Sequence, residues 1–419
     1  MVFGGLSTPT VVAFSPDGRV FVGEKSGIIK VFDNLSDPTP TIFADLRTNV
    51  YDYWDRGLLG MALDPSFPAK PYVYVLYTRD AVIGGAAPLW SDDCPTPPGP
   101  VFGAGCQASG RLSRLQASGN QMVGSEQVLV DDWCQQFPSH SVGTVSFGAD
   151  GALYAGAGDG ASFAFADWGS GDNPCGDPPN EGGALRAQDL RTGGDPVGLD
   201  GSIIRVNPDT GDAVPSNPLS GSADLNARRV IAYGMRNPFR FTTRPGTGEL
   251  WVADVGWNDV EEINRIPSAT DAMVENFGWP CYEGPGHQPG YDAAALGICE
   301  NLYASPGSVA APYYSYSHNE QVVASEPCST DAGSAITGPA FYGGGNYPAD
   351  YQGALFFGDY VRNCIWAMFP GPNGLPNPAT RVTFRAHAAG PVDIKIGPGG
   401  DLFYVDIQGG TIRRIQFSG

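Results

Sequence analysis

Short apolar stretches along this chain come in pairs joined by a polar turn, and the pairing recurs six times. The first pair, residues 11–14 and 20–22, flanks Ser15-Pro16-Asp17-Gly18-Arg19. The others lie at 58–77 around Asp64-Pro65, 142–154 around Ala149-Asp150-Gly151, 238–252 around Gly246-Thr247-Gly248, 336–357, and 392–405 around Gly399-Gly400. Asp-Gly between β-branched and aromatic residues is a strong hairpin signal, because glycine accepts positive φ without steric cost. Several copies continue into a third strand with a basic-aliphatic pair: Ile28-Ile29-Lys30-Val31, Ile203-Ile204-Arg205-Val206 and Ile412-Arg413-Arg414-Ile415. A strand unit repeated at this spacing predicts an all-β, six-bladed β-propeller with four-stranded antiparallel blades. The repeat spans nearly the whole chain, so residues 1–419 read as one domain. Continuous apolar runs such as Ala354-Leu355-Phe356-Phe357 suit strands packed on both faces. Residues 259–265 carry charges but are too short to stand alone as a helix.

Three stretches interrupt the repeat, at 84–110, 160–200 and 279–337. Long insertions in a compact fold are usually functional or covalently tied, and in propellers they gather at one end of the channel. The eight cysteines are dispersed among loop-like segments with no CxxC, which predicts four disulfides and an oxidising compartment rather than a zinc site. The short-range pairings expected are Cys94–Cys106 and Cys281–Cys299. No run of about 18 apolar residues predicts a membrane span. The first residues show no signal-peptide pattern, so a secreted protein is expected here in mature or trimmed form.

The net charge is −20, with only four lysines. Such a surface repels phosphate backbones and argues against a nucleic-acid partner. The surplus carboxylates serve either solubility or Ca²⁺ binding in Asp/Asn-rich loops, since a hard cation takes oxygen ligands. The segment from Asp254 to Glu262 and the loop from Gly171 to Asp177 are the candidates. No GxSxG, HExxH or Walker sequence occurs, and Gly156-Ala157-Gly158-Asp159-Gly160-Ala161 lacks the helix that a dinucleotide loop needs.

Of four histidines, His140 stands just before the third inner strand, at the channel mouth, where a neutral imidazole can act as general base. A hydrogen-bonded structural histidine is the other reading. His287, His318 and His387 read as loop or surface residues. Arg236-Asn237-Pro238 precedes the fourth inner strand in the same way. There an arginine can pair with an anion and an asparagine with a planar carbonyl, or the arginine can serve a blade carboxylate.

These segments together resemble the soluble quinoprotein glucose dehydrogenase family, with its aldose sugar dehydrogenases and sorbosone dehydrogenase-like proteins. The matching stretches include Arg56-Gly57-Leu58-Leu59-Gly60-Met61-Ala62-Leu63-Asp64-Pro65, His140 with Phe147-Gly148-Ala149-Asp150-Gly151, Asp200-Gly201-Ser202-Ile203-Ile204-Arg205, Gly234-Met235-Arg236-Asn237-Pro238, Glu261-Glu262-Ile263-Asn264 and Phe277-Gly278-Trp279-Pro280. The resemblance implies pyrroloquinoline quinone (PQQ) and Ca²⁺ at the channel mouth of a secreted or periplasmic sugar dehydrogenase with an external electron acceptor. His140 would take the proton of a sugar hydroxyl as hydride leaves for the quinone. Arg236 and Asn237 would bind the quinone's oxygen side, and Trp279 would line the cofactor or sugar face. Carbonyls of Gly256 and Trp257, near Asp254 and Glu262, would hold Ca²⁺. The family's two sixth-blade arginines are absent from Ala389-Gly390-Pro391-Val392-Asp393, which leaves Arg56 and Arg362 as substitutes. The stretch from Asp254 to Glu262 is also similar to the hedgehog-interacting-protein-like branch. That branch implies the alternative, a non-catalytic propeller binding a glycan or protein. A third class is acid–base chemistry by channel carboxylates such as Asp159 or Asp254.

Overall fold

The computed structural model describes residues 1–95 and 99–417. Six antiparallel sheets form a ring, and every pair of apolar stretches noted above forms the first two strands of one blade. The inner strands are Pro9–Phe14, Leu58–Leu63, Val142–Phe147, Arg240–Thr243, Ile336–Phe341 and Pro391–Ile396. The first, second, fourth and fifth blades have four strands. The third has five, because Glu275–Asn276 adds in parallel to the outer strand Val230–Tyr233. The sixth has three, extended by the N-terminal segment, where Phe3 bridges Ile412 and closes the ring. Residues 260–266 form the third strand of the fourth blade, and Tyr314–Ser317, inside the last insertion, forms its fourth. That insertion also carries two short helices, Pro289–Ala293 and Gly297–Tyr303.

The apolar residues of adjoining blades meet face to face. Val11, Phe21 and Val31 pack on Leu58, Val73 and Val75 between the first and second blades. Similar clusters lie between every successive pair, and Val12 and Val22 meet Val392 and Val405 where the last blade meets the first. Buried apolar area is the main favourable contribution here.

Near the axis the inner strands are tied by polar contacts. Thr10 Oγ1 donates to the Leu58 carbonyl at 2.6 Å, and Thr337 Oγ1 to the Pro391 carbonyl at 2.7 Å. Gly60 and Gly143 let backbones touch: a Cβ on Gly60 would lie 2.6 Å from the Gly143 carbonyl oxygen, and one on Gly143 would lie 2.6 Å from that of Phe239. Arg240 joins four blades. Its guanidinium donates to the carbonyls of Val392 (2.8 Å), Leu59 (2.9 Å) and Thr10 (2.8 Å), 3.8 Å from the Asp393 carboxylate. Burial lowers the Arg240 pKa to about 10, and Asp393 offsets part of that.

The four disulfides are Cys94–Cys106, Cys134–Cys175, Cys281–Cys299 and Cys328–Cys364, including both expected pairs. Each insertion is thereby tied to itself or to a blade, which limits its unfolded freedom. No helix of the described residues is long and apolar enough to cross a membrane.

Replacing Arg240 with alanine should orphan three buried carbonyls and leave the buried Asp393 carboxylate only Lys395 (3.4 Å) and the Val12 N–H (3.2 Å). Urea unfolding should show a loss of about 3–5 kcal/mol, the usual effect of breaking a buried charged pair. Arg240→Lys should recover only part of it, because one ammonium cannot span three diverging acceptors.

Candidate active site

A cavity of about 490 Å³ opens where the inner strands begin, and all six blades contribute to its wall. Its lining includes Thr10, Leu59, Phe239 and Val392, all of which give Arg240 their carbonyls. His140, Arg236, Asn237, Gly256 and Trp257 all line it. The structure therefore brings together five of the candidate residues.

His140 is buried at the cavity wall with φ of 50°, in the left-handed region that non-glycine residues seldom occupy. Its neighbours hold it there. Ser139 Oγ donates to the Ala161 carbonyl at 2.7 Å, and Ser141 Oγ to that of Asp55 at 2.9 Å. Gly158 is pressed so close that a Cβ would lie 2.4 Å from the His140 carbonyl oxygen. The next residue, Asp159, is fully buried and lies 2.7 Å from His140 Nδ1 through Oδ1. The same oxygen accepts from the Ala161 N–H at 2.9 Å, and Oδ2 accepts from the Trp279 indole N–H at 2.7 Å. Burial alone would raise the Asp159 pKa. The charge and hydrogen bond of His140, then Arg236 and the Ala161 N–H, outweigh it and hold the carboxyl below its ordinary value. An ionised Asp159 accepts from Nδ1–H, and in that tautomer a neutral imidazole carries its lone pair on Nε2.

Arg236 and Asn237 are fixed by Asp254, which ends the second strand of the fourth blade. The Asp254 carboxylate accepts from both backbone N–H groups, at 3.1 and 2.7 Å. Arg236 Nη1 donates to the carbonyls of Val255 (3.0 Å) and Gly256 (2.7 Å), and the guanidinium lies over the Trp279 ring at 5.5 Å. Trp279 itself stands behind the wall, supporting Asp159 and Arg236 rather than lining the cavity.

Two expectations are corrected. Arg56 is fully buried away from the cavity, donating to the carbonyls of Cys106, Gln135 (2.7 Å) and Phe137 (2.9 Å). Arg362 likewise donates to the carbonyls of Glu320, Ser317 and His318 and to Ser334 Oγ. Both guanidiniums spend their Nη donors on buried main-chain carbonyls, and neither lines the cavity. Lys25, which the sequence did not single out, does line the wall, paired with Asp52.

Asp254 and Glu262 stand opposite each other in adjacent strands, both buried. Burial, then mutual repulsion, raises the Asp254 carboxyl well above its usual value; burial chiefly raises Glu262 to about 7. Glu283 completes the group. Its Oε1 accepts from the N–H groups of Trp257 (2.7 Å), Asn258 (2.9 Å) and Asp259 (3.0 Å). Its Oε2, and Asn264 Oδ1, are buried without a partner. Glu283 sits in an unpatterned insertion and carried no sequence signal. In the 160–200 insertion, Asp177 instead pairs with Arg186 at 3.1 Å. His287 stacks on Tyr303 at the surface, and His318 is bound to Glu261 at 2.7 Å.

A family model described as Glucose / Sorbosone dehydrogenase matches residues 6–406. The HIPL1 protein of Arabidopsis thaliana is 27% identical over 92% of this chain and 56% of its own length. The HIPL2 protein of the same plant is 24% identical over 87% of this chain and 51% of its own length. The chain thus spans about half the length of these curated relatives. The PQQ-bound aldose sugar dehydrogenase of Streptomyces coelicolor shares the fold, with a TM-score of 0.64 and 21% identity over 99% of this chain and 94% of that one.

Asp200 gives a pH dependence that can be measured. It is buried at the end of the 160–200 insertion, bonded to the Cys134 N–H and the Gln135 amide, and burial raises it to about 8. A carboxyl raised in the folded state contributes stability that is complete below its unfolded pKa near 4 and is lost as pH climbs toward 8. The urea midpoint should therefore fall between pH 5 and 8.5, and Asp200→Asn should flatten that fall. An identical slope in the variant would assign the effect elsewhere.

Proposed function

The chain belongs to the glucose/sorbosone dehydrogenase family, and on that premise we propose that its cavity oxidises a sugar hydroxyl with His140 as general base. The observation that carries the reading is the buried Trp279–Asp159–His140 chain, with 2.7 Å contacts on both sides of the carboxylate. A carboxylate fully buried at a cavity wall and aimed at a histidine orients that ring and stabilises it once it takes a proton. His140 would accept the hydroxyl proton at Nε2. Arg236, braced on two carbonyls, would face negative charge that develops at the cavity.

The wall fits one edge of PQQ well. Arg236 and the Asn237 amide, which has no side-chain partner among the described residues, suit a quinone carbonyl edge. Lys25 is the other cation on the wall and would meet a carboxylate. Bound there, the quinone would supply a two-electron acceptor, reoxidised by an external electron acceptor. Ca²⁺ would be held near Asp254, Glu262 and Glu283, with the carbonyls of Gly256 and Trp257 at hand. The partnerless oxygens of Glu283 and Asn264 suit a hard cation. Four disulfides support a secreted or periplasmic location.

One observation favours a second reading, a propeller that binds a glycan or protein partner without oxidising it. Arg56 and Arg362 are both turned into the wall, and the sixth blade lines the cavity with the apolar Val392 and Ile407 where a cation would help. That leaves a tricarboxylate short of positive partners.

Two measurements decide. With PQQ, Ca²⁺ and a panel of aldoses, dye reduction should appear, and His140→Ala should lower turnover by about 10²–10⁴-fold while quinone affinity measured by calorimetry changes little. Calorimetric silence with PQQ and no dye reduction with any sugar would leave the binding reading. Separately, chelation should lower the melting temperature through loss of a ligand of the folded state. Glu262→Gln should abolish that response. A melting temperature indifferent to both chelator and added Ca²⁺ would remove the metal.

A further inference from the structure

The cavity's rim carries aromatic rings that the chemistry above does not use. Trp54 and Phe163 line the mouth, yet are 45% and 40% exposed, with ring centroids 5.8 Å apart. Trp54 stacks on Tyr53 at 6.0 Å, and Tyr53 on Tyr51 at 6.0 Å. Beyond Phe163, Phe165 stacks on Phe102, 62% exposed, with planes 8° apart. The two segments are joined by Ser162 Oγ, which donates to the Val101 carbonyl at 2.9 Å.

These rings are held in place. Trp54 has φ of 51°, a left-handed conformation that a bulky residue keeps only when its surroundings impose it. The next residue imposes it: the Asp55 N–H donates to the Pro138 carbonyl at 3.1 Å, and the Asp55 carbonyl accepts from Ser141 Oγ at 2.9 Å. Arg56 anchors the same turn in the interior. The Trp54 turn is therefore pinned on both sides of His140, at residues 138 and 141. Phe163 is fixed by Trp257, whose indole N–H donates to its carbonyl at 2.7 Å.

We propose that this rim is a subsite for a neutral glycan chain: one terminal sugar enters the cavity, and the next units stack on Trp54 with Phe163 and then on Phe102 with Phe165. The inference rests on the sugar reading of the cavity and names its substrate class, an oligosaccharide end rather than a free monosaccharide. Phe163 and Phe165 are two residues apart, at most about 7 Å along the chain, the order of one sugar unit. The C–H face of a pyranose is apolar and packs on an aromatic face by burial. A net charge of −20 disfavours polyanionic glycans.

Calorimetry with cellohexaose, maltohexaose and xylohexaose, each against its monosaccharide, tests the proposal. At least one hexasaccharide should bind ten-fold or more tighter than its monosaccharide. Trp54→Gly should collapse that ratio to near one without loss of folding, since glycine accepts the positive φ, and Phe163→Ala should reduce it. Equal affinities for hexamer and monomer, or a ratio indifferent to both variants, would overturn the subsite. The outcomes separate from those of the dehydrogenase reading. Dye reduction with monosaccharides but no length preference sinks the rim alone. Length-dependent binding that survives in His140→Ala, with no dye reduction by wild type, supports the rim and sinks the oxidation.

Discussion

A propeller channel is a place where six strands converge and none can hydrogen-bond to the next as in a sheet. The constraint is geometric, and in this protein Arg240 meets it. A guanidinium presents diverging donors in one plane, so a single side chain from the fourth blade reaches carbonyls on the sixth, second and first blades. The cavity depends on this, because those carbonyls belong to residues of its lining. The pinned axis keeps the six strand entrances at fixed separation, and the site's residues sit at those entrances.

A second device repeats around the ring. The second strand of each blade ends at or just before an acidic residue: Glu24, Asp80, Asp159, Asp254, Asp359 and Asp406, all buried. Each accepts backbone N–H groups from adjoining loops: Ser7 on Glu24, Trp90 and Ser91 on Asp80, Arg236 and Asn237 on Asp254, Ala335 and Arg362 on Asp359, Gly409 on Asp406. Buried N–H groups in irregular loops need such partners. In the third blade the same position, Asp159, keeps its loop contact to Ala161 but turns its remaining capacity to His140 and Trp279. The Trp279–Asp159–His140 arrangement is thus one copy of a structural motif given a histidine to hold. Several of the surplus carboxylates that read as solubility or metal ligands in the sequence are these loop clasps.

The contrast between what the chain announced and what it hid follows from distance. Hairpins are local, so the pairs of apolar stretches located all six inner strands. Cys94–Cys106 and Cys281–Cys299 were legible because they close short loops, whereas Cys134–Cys175 and Cys328–Cys364 depend on how insertions fold back. His140, Arg236 and Asn237 were found by their place before an inner strand, a one-dimensional cue that the propeller converts into convergence. Strand number was less legible at the sixth blade, where closure comes from Phe3 at the far end of the chain.

Arginine was the least legible residue, for an electrostatic reason. Arg56, Arg236, Arg240 and Arg362 look alike in sequence, each beside a strand entrance. Three of them spend their donors on main-chain carbonyls in the interior. Arg236 alone reaches the cavity, and only because Val255 and Gly256 take one of its nitrogens while Trp279 supports its face. What separates a structural from a site arginine is how many unsatisfied carbonyls the surrounding loops leave, and that is decided by insertions remote in sequence. The Arg56 anchor shows the two roles joined. By fixing the turn that carries Trp54, a cation with no access to the cavity still shapes what the cavity's mouth presents to a ligand.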